Sequence, residues 1–89
     1  MKYEWDEDKR QSNLKTHGLD FVDAIDFDST DALILVDDRH NYGEIRHVAL
    51  GKVHGRLCVL TFTWRNDVVR IISFRKANNR EMKRYDSRI

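Results

Sequence analysis

The chain has 89 residues, 40% hydrophobic, 35% charged and 10% aromatic, which suits one folded domain over 1–89 with a core about two layers thick and excludes a disordered tail. No apolar run approaches the roughly 18 residues of a membrane span, no signal-peptide pattern is expected at the start, and the single Cys58 excludes an internal disulfide and fits a reducing cytoplasm. The net charge of +1 hides an asymmetry: residues 1–44 carry five Lys/Arg against twelve Asp/Glu, and residues 45–89 carry eleven against three.

Lys2 to Trp5 alternates and reads as a short edge strand. Asp6 offers a helix N-cap, with Glu7 and Asp8 in the first turn, where carboxylates favour the helix dipole. The helix should run to Thr16 or His17 and end at Gly18. Phe21, Ala24 and Ile25 then repeat at helical spacing, which predicts a second short helix broken at residues 28–31. Residues 32–36 form a short β-rich run, and 37–44 read as a polar loop. Three strands follow at 45–53, 56–65 and 68–75, joined by the two-residue turns His54-Gly55 and Asn66-Asp67. A last helix begins near Asn78, which pairs with Glu81 as a capping box and leads an apolar stripe of Met82, Tyr85 and Ile89. The class is α+β: two N-terminal helices on an antiparallel meander, with a C-terminal helix.

Two-residue turns fix register. Around Asn66-Asp67, Arg65 faces Val68, Trp64 faces Val69, Thr63 faces Arg70 and Phe62 faces Ile71; counting back from His54-Gly55 pairs Arg46 with Thr63. One face then carries Ala49, Cys58, Leu60, Phe62, Trp64, Val69 and Ile71, with His47, and should pack on the N-terminal helices. The other carries Arg46, Thr61, Thr63, Arg65 and Arg70 beside Val48, Val59 and Ile72. Arg46, Thr63 and Arg70 share one row, placing the two arginine Cα atoms roughly 10 Å apart. Guanidinium forks at that spacing suit one phosphate or two successive ones. Arg75 has the opposite parity and joins this site only if the strand bends near Phe74. Arg80, Arg84 and Arg88 add a basic stripe at i, i+4, i+8. Arginines paired with loop carboxylates on a solvated face are the structural alternative.

The four histidines lack metal-ligand spacing, so neither a metal nor a cofactor is expected. Cys58 and Trp64 fall in the apolar set and read as packing.

Two blocks of residues resemble the BrnT-type toxins. The first is Trp5-Asp6-x-x-Lys9-x-x-x-Asn13-Leu14-x-x-His17-Gly18, followed by Phe21 and Ala24. The second comprises Gly43-Glu44-x-Arg46, Gly55-Arg56-Leu57, Thr63-x-Arg65 and Arg70-Ile71-Ile72-Ser73-x-Arg75-Lys76-Ala77-x-x-Arg80-Glu81-x-x-x-Tyr85. Thr16, where a basic residue is frequent, and His47, where an aromatic is, are the departures. The resemblance implies a RelE-like fold and a small ribonuclease of a type II toxin–antitoxin pair, neutralised by a BrnA-type antitoxin. The implied reaction is metal-independent attack of a ribose 2′-hydroxyl on the adjacent phosphate. Arg65, Arg70, Arg75 and Arg80 are the expected sources of charge stabilisation, with Arg80 and Arg65 on the scissile phosphate and Arg70 in support. Glu81 and Tyr85 are the nearest candidates for proton transfer, and Arg46, Thr63, Lys76, Arg84 and Tyr85 the expected substrate contacts. The antitoxin is expected from a neighbouring gene, with promoter DNA bound only through the complex. A non-catalytic nucleic-acid-binding module and an interaction protein with an acidic partner remain the rival functions.

Overall fold

A computed structural model of the protein describes residues 2–88. Its centre is a five-stranded sheet of β1 (Lys2–Trp5), β2 (Leu33–Asp37), β3 (Arg46–Val53), β4 (Arg56–Arg65) and β5 (Val68–Lys76), in the order β1-β5-β4-β3-β2. Strands β2 to β5 form the antiparallel meander, but β1 lies parallel to β5, so the sheet is mixed. Helix α1 (Glu7–His17) follows β1 directly and α2 (Asn79–Asp86) follows β5.

The helix ends are set as the sequence chemistry demands. The Asp6 carboxylate accepts from the Lys9 backbone N–H, and Gly18 takes φ +72° to close the last turn. Asn78 and Glu81 form the reciprocal capping box. Both hairpins keep the expected register, with Thr63 opposite Arg70, Trp64 opposite Val69 and Val53 opposite Arg56. His54, Gly55 and Asn66 supply the positive φ angles these turns need.

The second N-terminal α-helix is absent. Residues Phe21–Asp26 and Ser29–Asp31 form two short 3₁₀ turns instead. The apolar period there is three: Phe21 and Ala24 are fully buried and Phe27 packs against the same core, whereas Ile25 is 46% exposed. A 3₁₀ turn stacks residues i and i+3, which puts that trio on one line. Arg10 holds the turn to α1 through a two-pronged contact with Asp20 at 2.8 and 3.0 Å.

The main core joins Phe21 and Ala24 to Ala49, Val53, Cys58, Leu60, Phe62, Val69, Ile71 and Phe74. Gly51 lies under the Phe27 ring, where a Cβ would stand 2.5 Å from that side chain. A second, smaller cluster forms on the opposite face, where Tyr85 and Ala77 cover Leu50 and Val59. Trp64 is on the core side, edge-on to Phe62, yet 48% exposed. Of the expected α2 stripe, Tyr85 is buried, Met82 is largely exposed, and Ile89 lies outside the described residues.

One irregularity changes what the faces carry. Thr61 pairs with Ser73 but Phe62 pairs with Ile71, so Ile72 is an extra residue, a β-bulge. Strict alternation puts Ile72 beside Arg70; the bulge turns it towards α1, where it lines a shallow depression with Asn13 and His17. Beyond it Phe74 drops into the core. The β1 ladder ends at Trp5 opposite Ile71, and Asn13 of α1 takes over. Its buried amide accepts from the Phe74 N–H at 3.1 Å and donates to the Phe74 carbonyl at 2.7 Å.

Candidate functional site: a groove on the basic sheet face

The sheet face away from α1 carries a five-strand row. Asp37 lies opposite Arg46, Thr63 opposite Arg70, and Arg70 opposite Glu4, while His47 opposite Phe62 sets Arg46 beside Thr63. Arg46, Thr63 and Arg70 are thus aligned as the hairpin register requires. Carboxylates do pair with this face: Glu44 of the β2–β3 loop lies 3.3 Å from Arg65 and 3.6 Å from Arg46, and Glu4 of β1 lies 3.4 Å from Arg70. Arg46 also stacks on the Tyr42 ring at 4.0 Å, and its buried Nε has no hydrogen-bond partner among the described residues. Thr63 is buried, and its hydroxyl donates to the Ile45 carbonyl at 2.6 Å.

Below that row a groove of about 390 Å³ runs towards α2, floored by Val48, Val59, Thr61 and Ser73. Arg75 and Glu81 wall one side and Asp37 to Arg39 the other. The Ile72 bulge is what brings Arg75 here: it pairs opposite Val59, on the same face as Arg70 opposite Thr63. Arg75 donates through Nη1 and Nη2 to the two Glu81 oxygens, both at 2.8 Å. These hydrogen bonds raise the Arg75 pKa and hold Glu81 below the usual carboxylate range. Glu81 also accepts from the Asn78 N–H, so one carboxylate caps α2 and orients Arg75.

The expected site residues therefore separate into two groups. Arg46, Arg65 and Arg70 stand at the β4–β5 hairpin end, and Arg75, Lys76, Arg80, Glu81 and Arg84 at the α2 end. Counted along β4, six positions separate Arg65 from Val59, the partner of Arg75, about 20 Å at the usual strand rise. Lys76, Arg80 and Arg84 are exposed. Arg88 leaves the expected stripe: it lies beyond α2, stacks on Tyr85 at 3.6 Å and pairs with Asp31 at 2.7 Å. Tyr85 itself is buried, its hydroxyl donating to the Asp31 carboxylate at 2.9 Å.

Sequence reasoning passed over Asp37, Arg39 and Tyr42. The signal available was a carboxylate ending an apolar strand, followed two and five residues later by a guanidinium and a phenol. Among the described residues no cluster of three or more His, Cys, Asp or Glu is arranged to hold a metal ion, and no helix is long and apolar enough to cross a membrane.

An α+β protein with arginines along one sheet face and a basic helix beside the groove has the charge pattern of proteins that bind polyanions. The family model described as "Ribonuclease toxin, BrnT, of type II toxin-antitoxin system" matches residues 5–81, nearly the whole chain. The chain belongs to this family of ribonuclease toxins, and membership implies an RNA target and an antitoxin partner. Comparison with curated proteins finds no match.

Proposed function

We propose that this protein cleaves RNA by attack of a ribose 2′-hydroxyl on the adjacent phosphate, without a metal ion, acting in the cytoplasm as one domain over 1–89. The observation that carries the reading is Arg75, turned by the Ile72 bulge onto the Arg70 face and braced by Glu81 at the groove wall. Charge builds on the phosphorus oxygens in the transition state, and fixed guanidinium donors stabilise it most where they need not reorganise. Arg75 and Arg80 serve that role at the scissile phosphate. Arg46, Arg65 and Arg70 hold phosphates further along the strand, and Lys76 and Arg84 extend the path over α2. Glu81 accepts the 2′-hydroxyl proton as that oxygen bonds to phosphorus, and the P–O5′ bond breaks with the leaving 5′-oxygen taking a proton from water. The lowered pKa of Glu81 makes it a weak base, so charge stabilisation supplies most of the rate. Thr63 and Tyr85 support the frame through their internal hydrogen bonds.

The partner in this reading is a BrnA-type antitoxin encoded beside the toxin, which blocks the basic face and carries any promoter DNA contact. The test is decay of a defined RNA by purified protein with and without EDTA. Cleavage that persists in EDTA and leaves 2′,3′-cyclic phosphate ends supports the mechanism. RNA binding without cleavage would make the protein a binding module, and loss of cleavage in EDTA would overturn the metal-free route.

A further inference from the structure

The β2–β3 loop carries a guanidinium held in an unusual way. The Asp37 side chain is only 3% exposed, and a carboxylate so buried needs hydrogen bonds. It receives them from the next five residues: Arg39 donates through Nε and Nη2 at 2.8 and 2.9 Å and through its backbone N–H at 3.3 Å, and the Tyr42 hydroxyl donates at 3.2 Å. The Arg39 side chain is nevertheless 75% exposed, and its Nη1 has no partner among the described residues. A long side chain that solvent would otherwise leave mobile is fixed at its base with half its fork free.

Arg75 stands on the other wall of the same groove. Its hydrogen bonds to Glu81 favour the charged form, while burial and the nearby Arg39 charge act against it. Arg39 and Arg75 thus line one groove whose floor offers the Thr61 and Ser73 hydroxyls. Each is braced by its own carboxylate, Arg39 by Asp37 and Arg75 by Glu81. Like charges held at a groove in this way are relieved by an anion between them.

We propose that Arg39 and Arg75 are the two jaws of a clamp on one RNA phosphodiester, and that Asp37 is the positioning residue that keeps the Arg39 fork at the groove. This rests on the ribonuclease reading above. It assigns substrate contact to the β2–β3 loop and accounts for Tyr42, whose hydroxyl braces Asp37 while its ring carries Arg46.

The experiment uses the purified toxin, an unmodified RNA oligonucleotide for cleavage, and the same sequence fully 2′-O-methylated as a probe that binds without reacting. Arg39→Gln alters an exposed side chain. It should weaken probe binding about tenfold, the scale of one charge-assisted contact, and lower kcat as well as raise KM, since Arg75 stands at the scissile phosphate. The slope of log affinity against log salt should shrink by about 0.7, one phosphate contact on a single strand. Asp37→Asn discriminates positioning from a general field effect. Removing a negative charge tightens binding if only the field matters, whereas loss of the brace weakens binding and slows cleavage. Tyr42→Phe keeps both charges and should shift binding the same way by a smaller factor, which covers an Asp37→Asn protein that fails to fold. Wild-type affinity and slope in Arg39→Gln, or tighter binding with full cleavage in Asp37→Asn, overturns the clamp while the ribonuclease reading stands. A wild-type protein that neither binds nor cleaves RNA overturns that reading itself.

Discussion

Arg70 and Arg75 face the same side of the sheet although they lie five positions apart, an odd offset, because Ile72 between them is an unpaired bulge residue. The bulge turns two side chains of opposite parity into neighbours along one face. It sits where β1 stops and Asn13 begins to satisfy the β5 edge.

Asn13→Ala should therefore be costly. It removes the partners of the Phe74 N–H and carbonyl together, both in a buried setting, for about 2–4 kcal/mol. Urea unfolding followed by circular dichroism measures the loss. The folded fraction should also cleave RNA more slowly, since the segment carrying Arg75 loses its anchor. Unchanged stability would mean water or backbone movement replaces the amide.

Arg80→Ala should lower cleavage by roughly 10²–10³, the cost of one preorganised charged donor, with Arg80→Lys recovering only part because a point charge cannot replace a planar fork. Its side chain is exposed and apart from Tyr85, so the fold should survive. Arg65→Ala, at the far end of the face, should act severalfold and mainly on KM. Steady-state kinetics on a defined RNA separates the two, and equal kcat losses would place both residues at one phosphate.

Gly51→Ala should destabilise by about 1–3 kcal/mol, because the new methyl meets the Phe27 ring at 2.5 Å. Adding Phe27→Leu should restore part of the loss. A double variant no more stable than Gly51→Ala would rule out this contact as the cause.

Stability should fall in acid. Asp20, Asp37 and Glu81 are held below their ordinary pKa values, first by hydrogen bonds from Arg10, Arg39 and Arg75 respectively. Depressed carboxylates bind fewer protons in the folded state than in the unfolded one. Their contribution is complete above the reference values of 3.8 and 4.5 and is lost as pH drops through the folded ones. The urea midpoint should stay level from pH 7 to about 5 and decline below about 4. Asp37→Asn should flatten that decline, and an equally steep one would remove Asp37 from the account.

Co-expression with the antitoxin should yield a complex that survives purification. Lasting interfaces of this kind bury about 2,000 Å² or more in total. Separate elution of the two chains at micromolar concentration counts against a stable pair, and RNA cleavage by the intact complex counts against blockage of the basic face.

Much of the fold was legible because local chemistry decides it. Asp6 and Gly18 bound α1, Asn78 with Glu81 starts α2, and the His54-Gly55 and Asn66-Asp67 turns set the row of Arg46, Thr63 and Arg70. The sequence alone favours a helix over the 3₁₀ turns because Ile25 fits a 3.6-residue period as well as Phe27 fits a period of three, and only packing on Gly51 selects between them. The internal acceptors of the Tyr85 and Thr63 hydroxyls are invisible in sequence: Asp31 lies 54 positions from Tyr85, and Ile45 lies 18 from Thr63.

The sequence by itself determined the strands, the hairpin register, the helix ends and the gathering of arginines in the second half, since each follows from residues a few positions apart. Tertiary structure decided the bulge at Ile72. Nothing in Val68 to Lys76 marks one of two adjacent isoleucines as extra; the choice comes from Phe74 seeking the core and Asn13, 61 residues away, completing its backbone. Tertiary structure also decided that Arg75 shares a groove with Glu81 and Arg39, because that meeting needs a strand, a helix and a loop folded around one sheet face.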